Sequence, residues 1–243
     1  MSATAVPLSP SSAPAPAPAT PRPSGAPVGL LRSTVGRKAL MAVTGLVLFG
    51  FVLAHMVGNL QVYLGAAAMN HYAEFLRSFL HGWGLWVARA GLLAAVVLHI
   101  WSATTLTLHS WEARPVKYKR WRAQEATYAS RTMRWGGVIL FLFVVYHLLH
   151  FTVGSAHPDF RPGDVSHNFV SGFRQPVVSG VYLVAMVALG LHLDHGVWSL
   201  LRTLGLSHPR YVRLARAAAA GFALIVTAGN VSFPLAVLTG VVR

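Results

Sequence analysis

Five stretches of the chain stay apolar for about the length a helix needs to cross a bilayer, roughly 20 residues for a hydrocarbon core of about 30 Å. They run over about 38–62, 83–107, 135–155, 177–201 and 215–240. The Gly and Pro within them are compatible with membrane helices, which carry both more often than soluble ones. Pro234 is expected to kink the fifth. The pattern therefore predicts an all-α integral membrane protein of five transmembrane helices. The first thirty residues, "MSATAVPLSPSSAPAPAPATPRPSGAPVGL", depart from it: they are Pro, Ala and Ser and cannot build a core. They lack the basic start and continuous apolar stretch of a secretory signal. The expected organisation is a disordered or polyproline tail over 1–31 and one membrane domain over 32–243.

Composition supports this reading. Charged residues make up 11% of the chain and hydrophobic ones 54%, against about 25% charged in soluble domains. Mean hydropathy is +0.53. The net charge of +14 matters through its placement. Arg32, Arg37 and Lys38 precede the first span. Arg114, Lys117, Lys119, Arg120, Arg122, Arg131 and Arg134 lie between the second and third. Arg202, Arg210, Arg213 and Arg216 lie between the fourth and fifth. The other connections hold only Arg77, and Arg161 with Arg174. All the rich segments fall on one side of a five-span chain. The positive-inside rule then places the N-terminus in the cytoplasm and the C-terminus outside. The basic loop "WEARPVKYKRWRAQEATY" has the interleaved aromatics of a nucleic-acid surface. Beside a bilayer, topology, anionic lipid and docking of soluble subunits account for it better, so no nucleic-acid partner is expected.

There is no cysteine, which removes disulfides, thiolate-bound zinc, cysteine-ligated clusters and a cysteine nucleophile. Histidines are plentiful, twelve against six acids. Four spans carry them at positions that would otherwise be oil: His55 in "FVLAHMVGN", His99 in "AAVVLHIWS", His147 and His150 in "LFLFVVYHLLHFTVG", and His192 and His195 in "LGLHLDHGVWSLL". A single such histidine is accounted for by a hydrogen bond to a neighbouring helix. One on each of four helices points to a shared site, since intramembrane polar groups are costly and neutral imidazole is a common metal ligand. Two histidines on facing helices can take both axial positions of a haem iron, and four can hold two haems.

Depth suggests the pairing. At 1.5 Å per residue, His55 lies about 27 Å beyond Arg37, and His147 about 20 Å beyond Arg134. His192 is about 15 Å from Arg202, and His99 about 15 Å from His109. His55 with His147 toward the outside, and His99 with His192 toward the inside, are the favoured pairs. His147 and His150 share a helix face, as do His192 and His195, and spacing does not choose between them.

Taken together, these residues resemble the two-haem, single-chain membrane anchor of succinate dehydrogenase and fumarate reductase, the cytochrome b558 family. The motifs are "LAHMVGN"; "LHIWSATTLTL" with "ARPVKY"; "YHLLHF"; "LHLDHGVWSLLRTLG" with "HPRY"; and "GNVSFPLAVLTG". They cover about residues 33–243. The resemblance implies a multi-pass subunit of a bacterial cytoplasmic membrane with two b haems. It implies a flavoprotein and an iron–sulfur subunit docked on the cytoplasmic face. Electrons would pass through this chain to quinone, usually menaquinone, with no dicarboxylate chemistry on the chain itself. It assigns the axial ligands to His55, His99, His147 and His192, with His150 and His195 as neighbours.

Three further polar groups enter as candidates. Arg89, in "LWVARAGLL", either snorkels to the interface or meets a propionate of the outer haem. Glu74, in "NHYAEFLRS", is a solvated acid or a proton acceptor at a quinone site. Asp194 is set on a different face from His192 and His195 and could carry a proton or orient a ligand. Two other functions compete: the cytochrome b subunit of a different membrane oxidoreductase, and a histidine-relay proton channel or transporter. The last predicts a colourless protein.

Overall fold

The computed structural model describes residues 29–113, 128–206 and 208–243. The tail expected over 1–31 falls almost wholly outside them, as do Arg114, Lys117, Lys119, Arg120 and Arg122. Seven α-helices follow in chain order: α1 (Thr34–Asn59), α2 (Ala66–Ser78), α3 (Trp83–Glu112), α4 (Tyr128–His147), α5 (Val165–Phe173), α6 (Pro176–Thr203) and α7 (Pro209–Leu238). Five of them, α1, α3, α4, α6 and α7, are long and apolar enough to cross a membrane, and the described residues contain no strand. Lipid offers the backbone no hydrogen bonds, so helix is the form that satisfies every N–H and C=O within the span.

Local chemistry sets the ends. Ser33 caps α1 by accepting from the Gly36 N–H at 2.9 Å. Pro176 and Pro209 sit in the first turns of α6 and α7, where a missing N–H costs nothing. After His147 the α4 ladder widens into a π-helical turn over Leu148–Val153, closed by Gly154 at φ +85°. Phe160 lies where a side chain on Gly154 would have to go. The third span thus runs to Val153, with its irregular turn beginning directly after His147. α7 continues through Pro234 to Leu238.

Packing joins α1 to α3, α4 to α6, and α6 to α7. The two halves of the bundle meet through α1 against α6 and α7. Among the described residues, close approaches between α1 and α4, or α3 and α6, are few. Arginines gather at one end, called here the basic end. There Arg37 stacks on Trp101, Arg134 on Trp111, and Arg202 and Arg216 on Trp198.

The opposite, far end holds α2 and α5, which the hydropathy pattern leaves as plain connections. α5 is a plug: Ser166, Asn168, Phe169, Val170, Gly172 and Phe173 are all buried. Phe169 and Phe173 pack edge-on at 4.9 Å, Phe173 meets the Tyr182 ring at 4.9 Å, and Phe169 meets Phe233 of α7 at 5.8 Å. Asn70 ties α2 to this plug. Its amide donates to Asp164 at 2.9 Å, and its carbonyl accepts from the Ser166 N–H at 2.9 Å. The buried core of the protein therefore centres on this far end.

Candidate functional site

The four histidines meet in two pairs, each joining one half of the bundle to the other. His55 of α1 and His147 of α4 have ring centres 5.8 Å apart with the rings nearly perpendicular, at 83°. His99 of α3 and His192 of α6 have ring centres 6.4 Å apart at 57°. Three helices give the vertical spacing of the pairs independently. On α1, Thr44 contacts His99 and stands about ten residues before His55. On α4, Gly137 lies against His192, about ten residues before His147. On α6, Tyr182 contacts His147, about ten residues before His192. Each interval corresponds to about 15 Å of helix. The pairs are stacked along the bundle, one toward each end.

Hydrogen bonding separates the neighbours that spacing could not. His150 is fully buried. Its ring stacks on Tyr146 at 5.5 Å and on His157 at 4.8 Å, and it sits against Gly172 so tightly that a Cβ there would come within 2.8 Å of its Cε1. His157 is itself locked. Its Nδ1 accepts from the Asp159 N–H at 3.1 Å, so its Nε2 donates to the Asn168 carbonyl at 2.8 Å. His147, not His150, is the member that faces a histidine of another span. Between His147 and His150 stands Tyr182, whose hydroxyl is 3.2 Å from one Nδ1 and 3.1 Å from the other.

At the basic-end pair, Thr44 donates its only proton to the Leu40 carbonyl at 2.8 Å. Its oxygen, 3.2 Å from His99 Nδ1, then serves as acceptor. His99 carries its proton on Nδ1 and keeps the Nε2 lone pair free. His192 Nδ1 is buried without a partner among the described residues. Gly45 and Gly137 flank these rings: a Cβ on them would lie 3.4 Å from His99 Cε1 and 3.9 Å from His192 Cε1. At the far pair, His55 Nε2 is 3.3 Å from Asn59 Nδ2.

The remaining candidates lie elsewhere. Arg89 is exposed and stacks on Trp86 of its own helix at 5.1 Å. Glu74 is exposed on α2. Among the described residues, no hydrogen bond, ion pair or ring contact joins either to a histidine pair. Asp194 accepts from Arg216 at 3.3 Å, which pins α6 to α7. Tyr182 and Thr44 went unread in the sequence. A tyrosine inside "SGVYLVAM" was the available signal, because a buried phenol needs a hydrogen-bond partner. Thr44 gave none, since a membrane-helix threonine is normally satisfied by its own backbone.

The fold and its two histidine pairs define a multi-pass, all-helical membrane protein with imidazoles set between its spans on two levels. A comparison with protein families matches residues 110–229 to the succinate dehydrogenase/fumarate reductase transmembrane subunit. The match supports the resemblance read from the sequence and spans the third and fourth membrane helices. The match and the five apolar helices support a multi-pass membrane subunit of the succinate dehydrogenase/fumarate reductase type. The matched stretch contains His147, His192 and Tyr182, whereas His55, His99 and Thr44 precede it. Comparison with curated proteins and with solved structures gives no match.

Proposed function

We infer that this subunit holds two b haems, one between His55 and His147 and one between His99 and His192, and conducts electrons between the iron–sulfur subunit and a quinone, menaquinone in the family it resembles. The observation that carries the reading is the pair of interhelical imidazole contacts at ring-centre separations of 5.8 and 6.4 Å. Two imidazoles bonded to one metal at about 2 Å each have ring centres about 6 Å apart. Ordinary ring packing spans the same distances. What supports the reading is that both members of each pair are histidines, that they come from helices in opposite halves of the bundle, and that the arrangement recurs on two levels.

The protein's own contribution is placement. Helices α1 and α4 stay apart where His55 meets His147, as α3 and α6 do around His99 and His192. Thr44 holds His99 in the tautomer that leaves Nε2 free, the arrangement that orients a ligating histidine from behind. A haem held by either histidine pair would supply one-electron transfer. A vertical interval of about 15 Å divides the hydrocarbon thickness of about 30 Å into shorter steps. With the basic end in the cytoplasm, as the positive-inside rule places it, the His99–His192 pair faces the docked flavoprotein and iron–sulfur subunits and the His55–His147 pair the outer side of the bacterial cytoplasmic membrane.

A reduced-minus-oxidised spectrum with a pyridine haemochrome assay tests the reading on the purified complex. Two b haems per chain with a sharp low-spin alpha band are expected. A preparation that stays colourless under ample haem supply overturns it in favour of a proton relay.

A further inference from the structure

One phenol serves two imidazoles. Tyr182 is buried, its hydroxyl has a single proton, and the two nearest nitrogens are His147 Nδ1 at 3.2 Å and His150 Nδ1 at 3.1 Å. The phenol's own proton is used, and both contacts are hydrogen bonds, when one imidazole donates to the oxygen and the other accepts from it. Either order satisfies the phenol. α5 walls the network, with Phe173 packed edge-on to the Tyr182 ring and Gly172 against His150. The His150 Nε2 on the far side of that ring is buried without a partner among the described residues.

We propose that Tyr182 is a positioning residue for His147, and that it works with His150 as a one-way hydrogen-bond chain setting the electron-donating strength of the far-end ligand. The proposal rests on the two-haem reading. A neutral imidazole that gives Nε2 to iron must keep its proton on Nδ1. His147 Nδ1–H then donates to Tyr182 Oη, and the phenol turns its own proton to His150 Nδ1. His150 keeps its proton on Nε2. No proton leaves the chain; iron at His147 selects one of two orders that the same three groups can adopt. A phenol that is donating is also a better acceptor, because successive hydrogen bonds polarise one another. His150 therefore strengthens the pull on the His147 proton without touching the ligand. A ligand whose N–H is pulled in this way is more basic and favours the oxidised iron, and hydrogen bonding is one of the levers that set haem potentials. The basic-end pair has no equivalent: behind His99 stands a threonine held by its own helix.

The test is a redox titration of both haems, followed optically and by electron paramagnetic resonance, in the assembled complex carrying Tyr182→Phe or His150→Leu. Tyr182→Phe removes one oxygen and keeps the ring that packs on Phe173. The far-end midpoint should rise by about the equivalent of a tenfold change in the reduction equilibrium, about 59 mV for a one-electron couple. The basic-end midpoint should stay in place. His150→Leu should move the far-end midpoint the same way by less. An unchanged far-end midpoint overturns the proposal, as does an equal shift in both haems. A fall means the chain runs in the opposite order and overturns it as well. Loss of the far haem alone from Tyr182→Phe makes the tyrosine a requirement for the site and overturns the tuning role. Wild-type complex without haem overturns the two-haem reading itself, which separates the two failures.

Discussion

His147 is backed by a tyrosine that is itself backed by a buried histidine, whereas His99 is backed by a threonine whose proton is already committed to the Leu40 carbonyl. The two ends of the bundle present the same pair of imidazoles to each other and support them by different means. At the far end, the support is a packed aromatic core: α5 is driven between the spans, and Tyr146, Phe151, Phe173 and His157 surround the network. At the basic end, support comes from a helix-bound hydroxyl and from two glycines that keep side chains away from the rings. The first arrangement can be tuned by changing a remote group. The second holds one tautomer and offers little else to adjust. Spectra that report the two pairs separately are therefore the natural way to probe the molecule.

The largest expected effect comes from removing a ligand. His55→Ala or His147→Ala should take the haem count from two per chain to one and leave the spectrum of the basic-end pair intact. His99→Ala or His192→Ala should do the converse. Loss of both haems from any single variant would break the claim that the pairs are independent. Close behind comes Gly45→Leu. A Cβ at Gly45 makes only ordinary contact with His99, at 3.4 Å, so Gly45→Ala should keep a wild-type spectrum. A branched side chain must displace the ring, and the basic-end haem alone should lose its sharp low-spin band.

Thr44→Val sharpens the comparison without changing volume. It leaves the His99 N–H without its side-chain acceptor, and outer-shell partners of metal-binding histidines are worth about 10- to 100-fold in affinity. Haem transfer to an apo-globin acceptor should accelerate about tenfold from the basic-end pair and not from the far pair. Thr44→Ser should restore the wild-type rate.

The sequence carried the spans, the four histidines and their pairing, because apolar length and charge asymmetry are physical constraints on any chain in a bilayer. It left His147 against His150 to family resemblance, and the reason is visible in the structure. The two residues share a face, and what separates them is the π turn after His147 together with α5, which closes over His150. That helix is nine residues long, too short for a spanning signal, and its burial depends on partners from α2, α6 and α7 that no local pattern announces. Arg89 and Glu74 are exposed on α3 and α2.

The smallest effect concerns the plug, and it ought to reach one pair only. Asp164 caps α5. The His167 backbone N–H first, and the Asn70 side chain next, hold its carboxyl below the usual carboxylate range. A group whose folded value is depressed lends stability above its unfolded value, near 3.9 for aspartate, and loses it as pH falls through the folded one. Asp164→Ala should therefore cost about 1 kcal/mol at pH 7, the usual worth of an N-cap, and the deficit should shrink below about pH 4. The ratio of variant to wild-type hydrogen exchange at α5 amides measures it, since intrinsic rates cancel at each pH. Because α5 carries Gly172 and Phe173 against His150 and Tyr182, the far-end haem should show a slight broadening in the same variant. The basic-end haem, supported from α1 and α4, should show none. Equal broadening at both would mean that the plug stabilises the bundle as a whole and that the two supports are not separate.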